Sequence, residues 1–194
     1  MDGQEFEGLA ASSRSFRRYD GSLVEEDALR SLVAAARLAP SGNNKQVLRF
    51  RLVASAPACA TTFSHLGWAA LLKDWDGPTA GERPGGYVVI CLPKKLATNP
   101  IRLMDTGIAA QTIALAARAR GLGCCMLRNF DAALAADLAL PDDLTPVLVL
   151  AVGVPVEHVV LEDVGASGEH GLAYWRETDG SHHVPKLSVG ELLV

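Results

Sequence analysis

The chain has 194 residues, enough for one domain with a sizeable core, and 49% of them are apolar, an excess that an obligate dimer would bury. The net charge is −4 with both signs interspersed, and the absence of a basic block argues against nucleic acid as the main partner. No apolar run approaches the roughly 18 residues of a membrane span, so no membrane-crossing helix is expected.

Residues 1–12 read as a short amphipathic lead-in of helical character, and Asp2, Glu5 and Glu7 give it the wrong charge for a signal peptide. Arg14, Arg17 and Arg18 then crowd into the stretch Ser13–Tyr19, and Asp20-Gly21 reads as a turn. Ser22 with Glu25 predicts a capping box. The helix it opens has one buried stripe of Leu29, Leu32, Val33 and Ala36, and Pro40 stops it. From Leu48 to Ala54 the chain alternates, with Leu48, Phe50 and Leu52 facing one way and Arg49 and Arg51 the other. Residues 57–75 read as a helix with Trp68 and Trp75 on it or at its end. A Gly/Pro-rich loop over 76–86 follows, and Tyr87–Leu92 is a buried strand ended by Pro93.

Asp105–Ala119 is the most apolar helix, with Ile108, Ala109, Thr112, Leu115, Ala116 and Ala119 sharing a face. Gly121 caps it, and Gly123–Leu127 follows as a short strand. Asp131 opens a helix over 132–140 that Pro141 closes, and Pro146–Val152 is a further buried strand. Residues 157–183 lack clear periodicity and hold His158, His170, His182 and His183. Val184–Val189 reads as a small strand or extended arm before a short helix. No repeat or linker interrupts the chain, so 1–194 is expected to be one domain with a lead-in (1–12) and a C-terminal arm (184–194). The element order predicts an α+β fold, a mixed or antiparallel sheet flanked by helices.

One loop carries more polar chemistry than a helix-to-strand connection needs. Ser41, Asn43, Asn44, Lys45 and Gln46 crowd beside Pro40 and Gly42. Amides offer both donors and acceptors, which suits the edge of a flat heterocycle such as an isoalloxazine ring. The plainer alternative is a polar turn with left-handed Asn residues. Arg14, Ser15 and Arg17 form a group suited to a phosphate, since guanidinium groups bind phosphate through paired hydrogen bonds. The four cysteines form no CxxC pair; Cys124 and Cys125 are adjacent in a strand and point to opposite faces, which indicates reduced, buried thiols in a cytoplasmic protein. His182-His183 lacks a metal partner at helical or finger spacing, and no HExxH, GxSxG or P-loop occurs, so no metal site is expected. Gly121-x-Gly123 follows a helix and has no third glycine, so it is not a dinucleotide fingerprint.

Pro40-Ser41-x-x-Asn44-x-Gln46, followed by Phe50, resembles the signature of the FMN-dependent nitroreductase family, with Val47-Leu48 in place of the usual Pro-Trp. Arg14-Ser15-Phe16-Arg17-Arg18-Tyr19 is similar to that family's Arg-Ser-x-Arg-x-aromatic opening, although Ser13 stands where many members carry another basic residue. Pro185-Lys186 resembles the family's C-terminal Pro-Lys pair, with Ser188 in place of an arginine, and Gly121-Leu122-Gly123 follows the buried helix as the corresponding segment does.

The resemblance implies a nitroreductase-like FMN-binding sandwich, dimeric and intertwined, with two flavins at the subunit interface. Arg14 and Ser15, with Lys186, would lie near the phosphate, and Arg17 would lie toward the ribityl chain and the N1/O2 side of the ring. Backbone groups of Leu127, Arg128 and Asn129 would face flavin N5 and O4. Ser41, Asn44 and Gln46, with Asn43 beside them, would reach the flavin of the other chain. The implied reaction is a two-step one. NADH or NADPH gives a hydride to flavin N5, and a small acceptor such as a nitroaromatic or quinone then takes it, with no catalytic side chain. The alternatives are a flavin-binding sensor or store with little turnover, or other flavin chemistry on the same fold, such as flavin destruction, dehalogenation or oxidation of cyclic dipeptides. Under any of them the 76–86 loop would leave an open pocket or one shaped by Trp68 and Trp75.

Overall fold

The computed structural model describes residues 1–72, 75–166 and 168–194. Lys73 and Asp74, within the helix expected over 57–75, lie outside the described residues.

The central sheet is built on its most apolar sequence. Strand β2 (Gly86–Pro93) is buried along nearly its whole length, as a run with no polar alternation requires. It pairs antiparallel with β1 (Arg49–Val53) on one side and β4 (Leu144–Gly153) on the other; β3 (Gly123–Leu127) closes the far edge, giving the order β1-β2-β4-β3. The alternation in β1 holds: Phe50 and Leu52 pack on the core while Arg49 and Arg51 face out, as suits an edge strand.

Side chains of alternate residues build two cores, one on each face of the sheet. On one face α2 (Glu26–Ala36) and α4 (Pro100–Arg118) bury Leu29, Leu32, Ile113 and Ala117 against Val88, Ile90, Leu150 and Val152. On the other, α3 (Ala56–Ser64) and α5 (Leu134–Asp137) cover Tyr87, Val89, Val149 and Ala151. The N-terminal helix α1 (Gly3–Ser12) opens with a capping box at Asp2 and Glu5 and packs on α4. The result is the α+β sandwich expected, with an antiparallel central sheet.

A second, smaller sheet comes from 157–186, where periodicity was not evident. Strands β5 (Val159–Asp163), β6 (Trp175–Arg176) and β7 (His182–Lys186) assemble in the order β5-β7-β6, with β5 and β7 parallel. These strands are too short and too polar to show an apolar period. A last turn of helix, α6 (Val189–Leu192), is capped by Ser188 and Glu191.

Several local expectations are corrected. The Ser22–Glu25 capping box does not form: the Ser22 hydroxyl bonds Asp20 Oδ1 instead, and α2 begins at Glu26 with Glu25 at its cap and no side-chain bond. That helix ends at Ala36, short of Pro40. The helix expected over 57–75 stops at Ser64, leaving Trp68 buried beside Phe63 beyond its end, because the chain turns there to bridge Leu66 to Phe130. Helix α4 starts at Pro100, with Asn99 capping it, and its buried stripe is Asp105, Thr106, Ala109, Ala110, Ile113, Ala114 and Ala117. Ile108, assigned to the buried face, is exposed with Met104 and Ile101. Alanines that tolerate close packing, together with Ile113, face the sheet. The 132–140 helix shrinks to Leu134–Asp137, although Asp131 does accept the Ala133 N–H at its start. Gly121 does end α4: at φ +77° it lets the Leu122 and Gly121 N–H groups bond the Ala117 and Arg118 carbonyls.

Candidate cofactor site

The loop after α2 is held in an uncommon conformation. Asn43, Asn44 and Gln46 all sit at positive φ, 53°, 51° and 47°, a region that costs most non-glycine residues energy. Asn tolerates it; Gln does so only under constraint. The constraint comes from α4. Gly42 donates its N–H to Asp105 Oδ1 at 2.7 Å, and Arg102 donates through Nη1 to the Gly42 carbonyl at 3.1 Å and to Asp105 Oδ2 at 2.7 Å. The Arg102 and Asp105 side chains are only 9% and 4% exposed, so this is a buried ion pair whose spare hydrogen bonds grip the loop backbone. With the backbone held from behind, Asn43, Asn44, Lys45 and Gln46 are exposed. Gln46 donates to Asn44 Oδ1 at 3.0 Å and, through its backbone, to Ser41 Oγ at 3.3 Å. Beside the loop lies a cavity of about 390 Å³ between α2, β1 and α4, walled by apolar side chains such as Val33, Leu48 and Phe50, with Ser41 and Gln46 on its polar side and Arg37 lining it too. Neither Arg102 nor Asp105 was singled out as a loop anchor from sequence. The available signal was a charged i, i+3 pair at the start of an otherwise apolar helix.

The arginine segment lies elsewhere. Ser15 bridges Cys124, and Phe16 N–H bonds the Cys124 carbonyl at 3.1 Å, so the segment lines the outer edge of β3. Phe16 and Tyr19 are its buried anchors, 6% and 1% exposed. Arg14 bonds the Ala10 carbonyl through Nη2 at 2.7 Å, its Nε is buried without a partner, and burial lowers its pKa. Arg17 donates through Nη1 to the Ser15 carbonyl at 3.2 Å and to His182 Nε2 at 3.1 Å, and its guanidinium lies 4.8 Å from the centre of the Tyr174 ring. Its backbone N–H bonds the buried Glu157 carboxylate at 2.8 Å, which also accepts from Arg176. Arg18 pairs instead with Glu82, which raises the arginine and holds the carboxyl below its usual range. Lys186 ends β7, exposed.

Leu127, Arg128 and Asn129 close the far end of β3, with Leu127 buried and the other two exposed. Asn129 accepts the Gly67 N–H at 2.9 Å, and any side chain at position 67 would meet it, since a Cβ there would stand 1.9 Å from Asn129 Nδ2. His65 supports the same turn: Nδ1 faces Asp131 at 2.9 Å and Nε2 faces Asp137 at 2.8 Å. Its pKa is raised, chiefly by the hydrogen bond to Asp131.

Strand register fixes how far apart these groups are. Ser15 stands beside Cys124, level with Val152 and Gly86 at one end of the sheet; the 41–46 loop enters at Arg49, level with Cys91 near the other end. Four strand spacings across, counting the bridge from β3 out to Ser15, and five residues along separate them by on the order of 25 Å. Arg14, Ser15 and Arg17 therefore stand together near β3 and β7, whereas Ser41, Asn43, Asn44 and Gln46 occupy the diagonally opposite corner. Within one chain the two sets do not share a single contact surface.

The polar groups fit an anionic, planar ligand: an unpartnered buried Arg14 Nε, exposed Ser15 and Lys186, an Arg17 guanidinium with one edge free among the described residues, and exposed amides beside a cavity. Among the described residues, no cluster of three metal-type ligands comes together, and no helix is long and apolar enough to cross a membrane.

Comparison with known proteins gives the family and the fold. The Nitroreductase family model matches residues 10–154. A candidate NADH dehydrogenase/NAD(P)H nitroreductase of Archaeoglobus fulgidus is 26% identical over 149 residues, 73% of this chain and 80% of the relative. The crystal structure of a protein of the same description from Parabacteroides distasonis superposes with a TM-score of 0.62 at 26% identity, covering 80% of this chain and 89% of that one. A nitroreductase-type protein of Desulfovibrio desulfuricans, solved in complex with FMN, shares the fold over 100% of this chain and 97% of its own, with a TM-score of 0.69 at 24% identity.

Proposed function

The chain belongs to the nitroreductase family, and from that premise we propose that it is an FMN-dependent NAD(P)H oxidoreductase that reduces small electron-poor acceptors such as nitroaromatics or quinones. Bound FMN would supply the two-electron relay between donor and acceptor. The observation that carries the reading is the split of polar groups between two diagonal corners of the sheet, each suited to a different part of one ligand.

In this reading 1–194 works as one cytoplasmic domain and pairs as a homodimer. One protomer contributes Arg14, Ser15 and Lys186 to the phosphate, and Arg17 to the N1/O2 side of the ring. Arg17 is fixed there as a permanent cation, which favours negative charge at that edge of the ring. The Leu127–Asn129 turn faces the N5/O4 side. The second protomer brings Ser41, Asn43, Asn44 and Gln46, whose amides are pre-set by the Arg102–Asp105 pair and so lose little freedom on binding. The cavity beside Ser41 and Gln46 gives an apolar seat for a planar acceptor or donor ring. No side chain is required as nucleophile or general base.

The test is an absorbance spectrum of the purified protein with added FMN, before and after anaerobic NADH and NADPH. Bound flavin that bleaches with a donor and recolours with menadione or a nitroaromatic is the expected result. Bound flavin inert to both donors would point to a passive flavin binder, and failure to bind FMN would overturn the reading.

A further inference from the structure

We propose that His182 is a positioning residue for Arg17: it accepts one N–H of the guanidinium so that the opposite edge stays free to grip the flavin. The proposal rests on the cofactor reading above.

The hydrogen-bond geometry carries it. Arg17 Nη1 has two hydrogens, and they meet the Ser15 carbonyl at 3.2 Å and His182 Nε2 at 3.1 Å. A guanidinium has only donors, so His182 Nε2 must be the acceptor and its proton sits on Nδ1. Tyr174 lies under the guanidinium, with its ring centre 4.8 Å away. Among the described residues, Nε and Nη2 of Arg17 bond nothing in the chain. Together they form the forked edge that binds a pair of acceptor atoms. Three partners thus fix the plane and rotation of a side chain that would otherwise sample many rotamers.

His182 is itself built to stay neutral. It is 1% exposed, and its Nδ1 is buried without a partner. The charged and titratable groups around it are Arg17 from the N-terminal segment, Glu157 from the turn after β4, Arg176 from β6, His183 from β7 and Tyr174, whose ring centre lies 5.2 Å from that of His182. Burial first, and Arg17 next, push its pKa down to about 4. A proton on Nε2 would set donor against donor and release Arg17. A buried ring with an unsatisfied nitrogen is an odd choice for mere filling, where Leu or Phe would do without the polar cost. Arg176 of the same small sheet donates to the Glu157 carboxylate that accepts the Arg17 backbone N–H, and both residues, like the sheet, lie beyond the family-matched 10–154. The C-terminal sheet thereby becomes part of the cofactor site twice over, through Lys186 at the end of β7 and, without touching the cofactor, through His182 at its start.

A double-mutant cycle on FMN affinity at pH 7 tests this, with His182→Leu, His182→Gln and Arg17→Met. His182→Leu should weaken FMN binding about tenfold, His182→Gln should keep most of the affinity because its amide oxygen accepts, and His182→Leu should cost nothing further in the Arg17→Met background. Equal losses in both backgrounds, or no rescue by Gln, would reduce His182 to packing. One measurement needs no folded variant: the His182 titration midpoint in wild-type protein, followed by NMR. By reciprocity FMN must lower it, by about one pH unit for a tenfold coupling, and an unmoved midpoint overturns the proposal. Wild-type protein that fails to bind FMN sinks the cofactor reading itself; wild-type binding with an additive cycle sinks only the role of His182.

Discussion

Asp105 on α4 accepts the Gly42 N–H at 2.7 Å, so a buried carboxylate sets the conformation of the amide loop from the far side. Asp105→Ala removes both the acceptor for Gly42 and the partner of a buried Arg102, a loss of about 3 kcal/mol or more. Asp105→Asn keeps an acceptor for Gly42 and gives up only the charge. We expect urea midpoints to fall in the order wild type, Asn, Ala, and FMN affinity to follow the same order. An Ala variant as stable as wild type would show that the pair does not hold the loop.

Asn44 separates the backbone role of that loop from its side-chain role. At φ 51° a glycine is at ease, so Asn44→Gly should leave stability unchanged or raise it by up to about 1 kcal/mol. The same change removes an amide proposed to face the flavin, and FMN affinity should drop about tenfold, the worth of one good hydrogen bond. Thermal unfolding of the flavin-free protein, set beside an FMN titration, reads the two effects apart. If affinity is kept, Asn44 is there for its conformation alone.

How much of this was legible in advance depended on range. The α+β class, strands β2, β3 and β4, and the apolar stripe of α2 follow from local periodicity, and each stands where expected. The motif residues around Ser41 and Arg14 could be picked out, because no ordinary turn needs that set of side chains. Their anchors could not. Asp105 reaches Gly42 across 63 residues, and His182 reaches Arg17 across 165, pairings that leave no local pattern. Of the C-terminal sheet only the small strand or arm over Val184–Val189 was legible, overlapping β7; its partners were missed for a related reason, because β5 and β7 are parallel and half-exposed and neither shows a clean period of two.

The diagonal separation of the two polar groups makes the dimer testable by complementation. In a two-fold dimer each site would take Arg17 from one protomer and Asn44 from its partner. Arg17→Met and Asn44→Ala should each weaken flavin sites. Mixed and allowed to exchange subunits, they should regain tight FMN binding at about a quarter of sites, because half the dimers are mixed and each of those has one intact site. No recovery after verified exchange would place both residues on the same flavin from a single chain.

His65 ties the turn after β3 to α5 through Asp131 and Asp137, and its contribution depends on pH. The folded-state pKa is raised, first by the Asp131 hydrogen bond. The clamp is therefore fully present below the unfolded histidine value of about 6.5, and it fades as pH rises through the higher folded value. Asp131 is held low by the same bond, so the acid limit comes as pH falls through its folded value, below the unfolded carboxylate's. His65→Gln should thus lower the melting temperature at pH 5.5 and have little effect at pH 9. Equal losses at both pH values would assign His65 to packing rather than charge.

The cysteines make the last prediction. Cys124 belongs to the core on one face of the sheet and Cys125 to the core on the other, so their side chains diverge and a disulfide between them has no path. Burial raises all four thiols: Cys91 and Cys125 to about 11, with Cys59 and Cys124 moved the same way. Arg17 draws Cys125 down and Glu157 pushes it up, but both effects are smaller than burial. A thiol at such a value is almost wholly protonated at pH 8, and the thiolate is the reactive form. Native protein should therefore react with a thiol-disulfide reagent only over hours, at all four positions, and at once when unfolded in guanidinium. Flavin reduction by NAD(P)H should survive iodoacetamide. One rapidly labelled thiol whose modification stops turnover would return a cysteine to the chemistry that the buried positions now exclude.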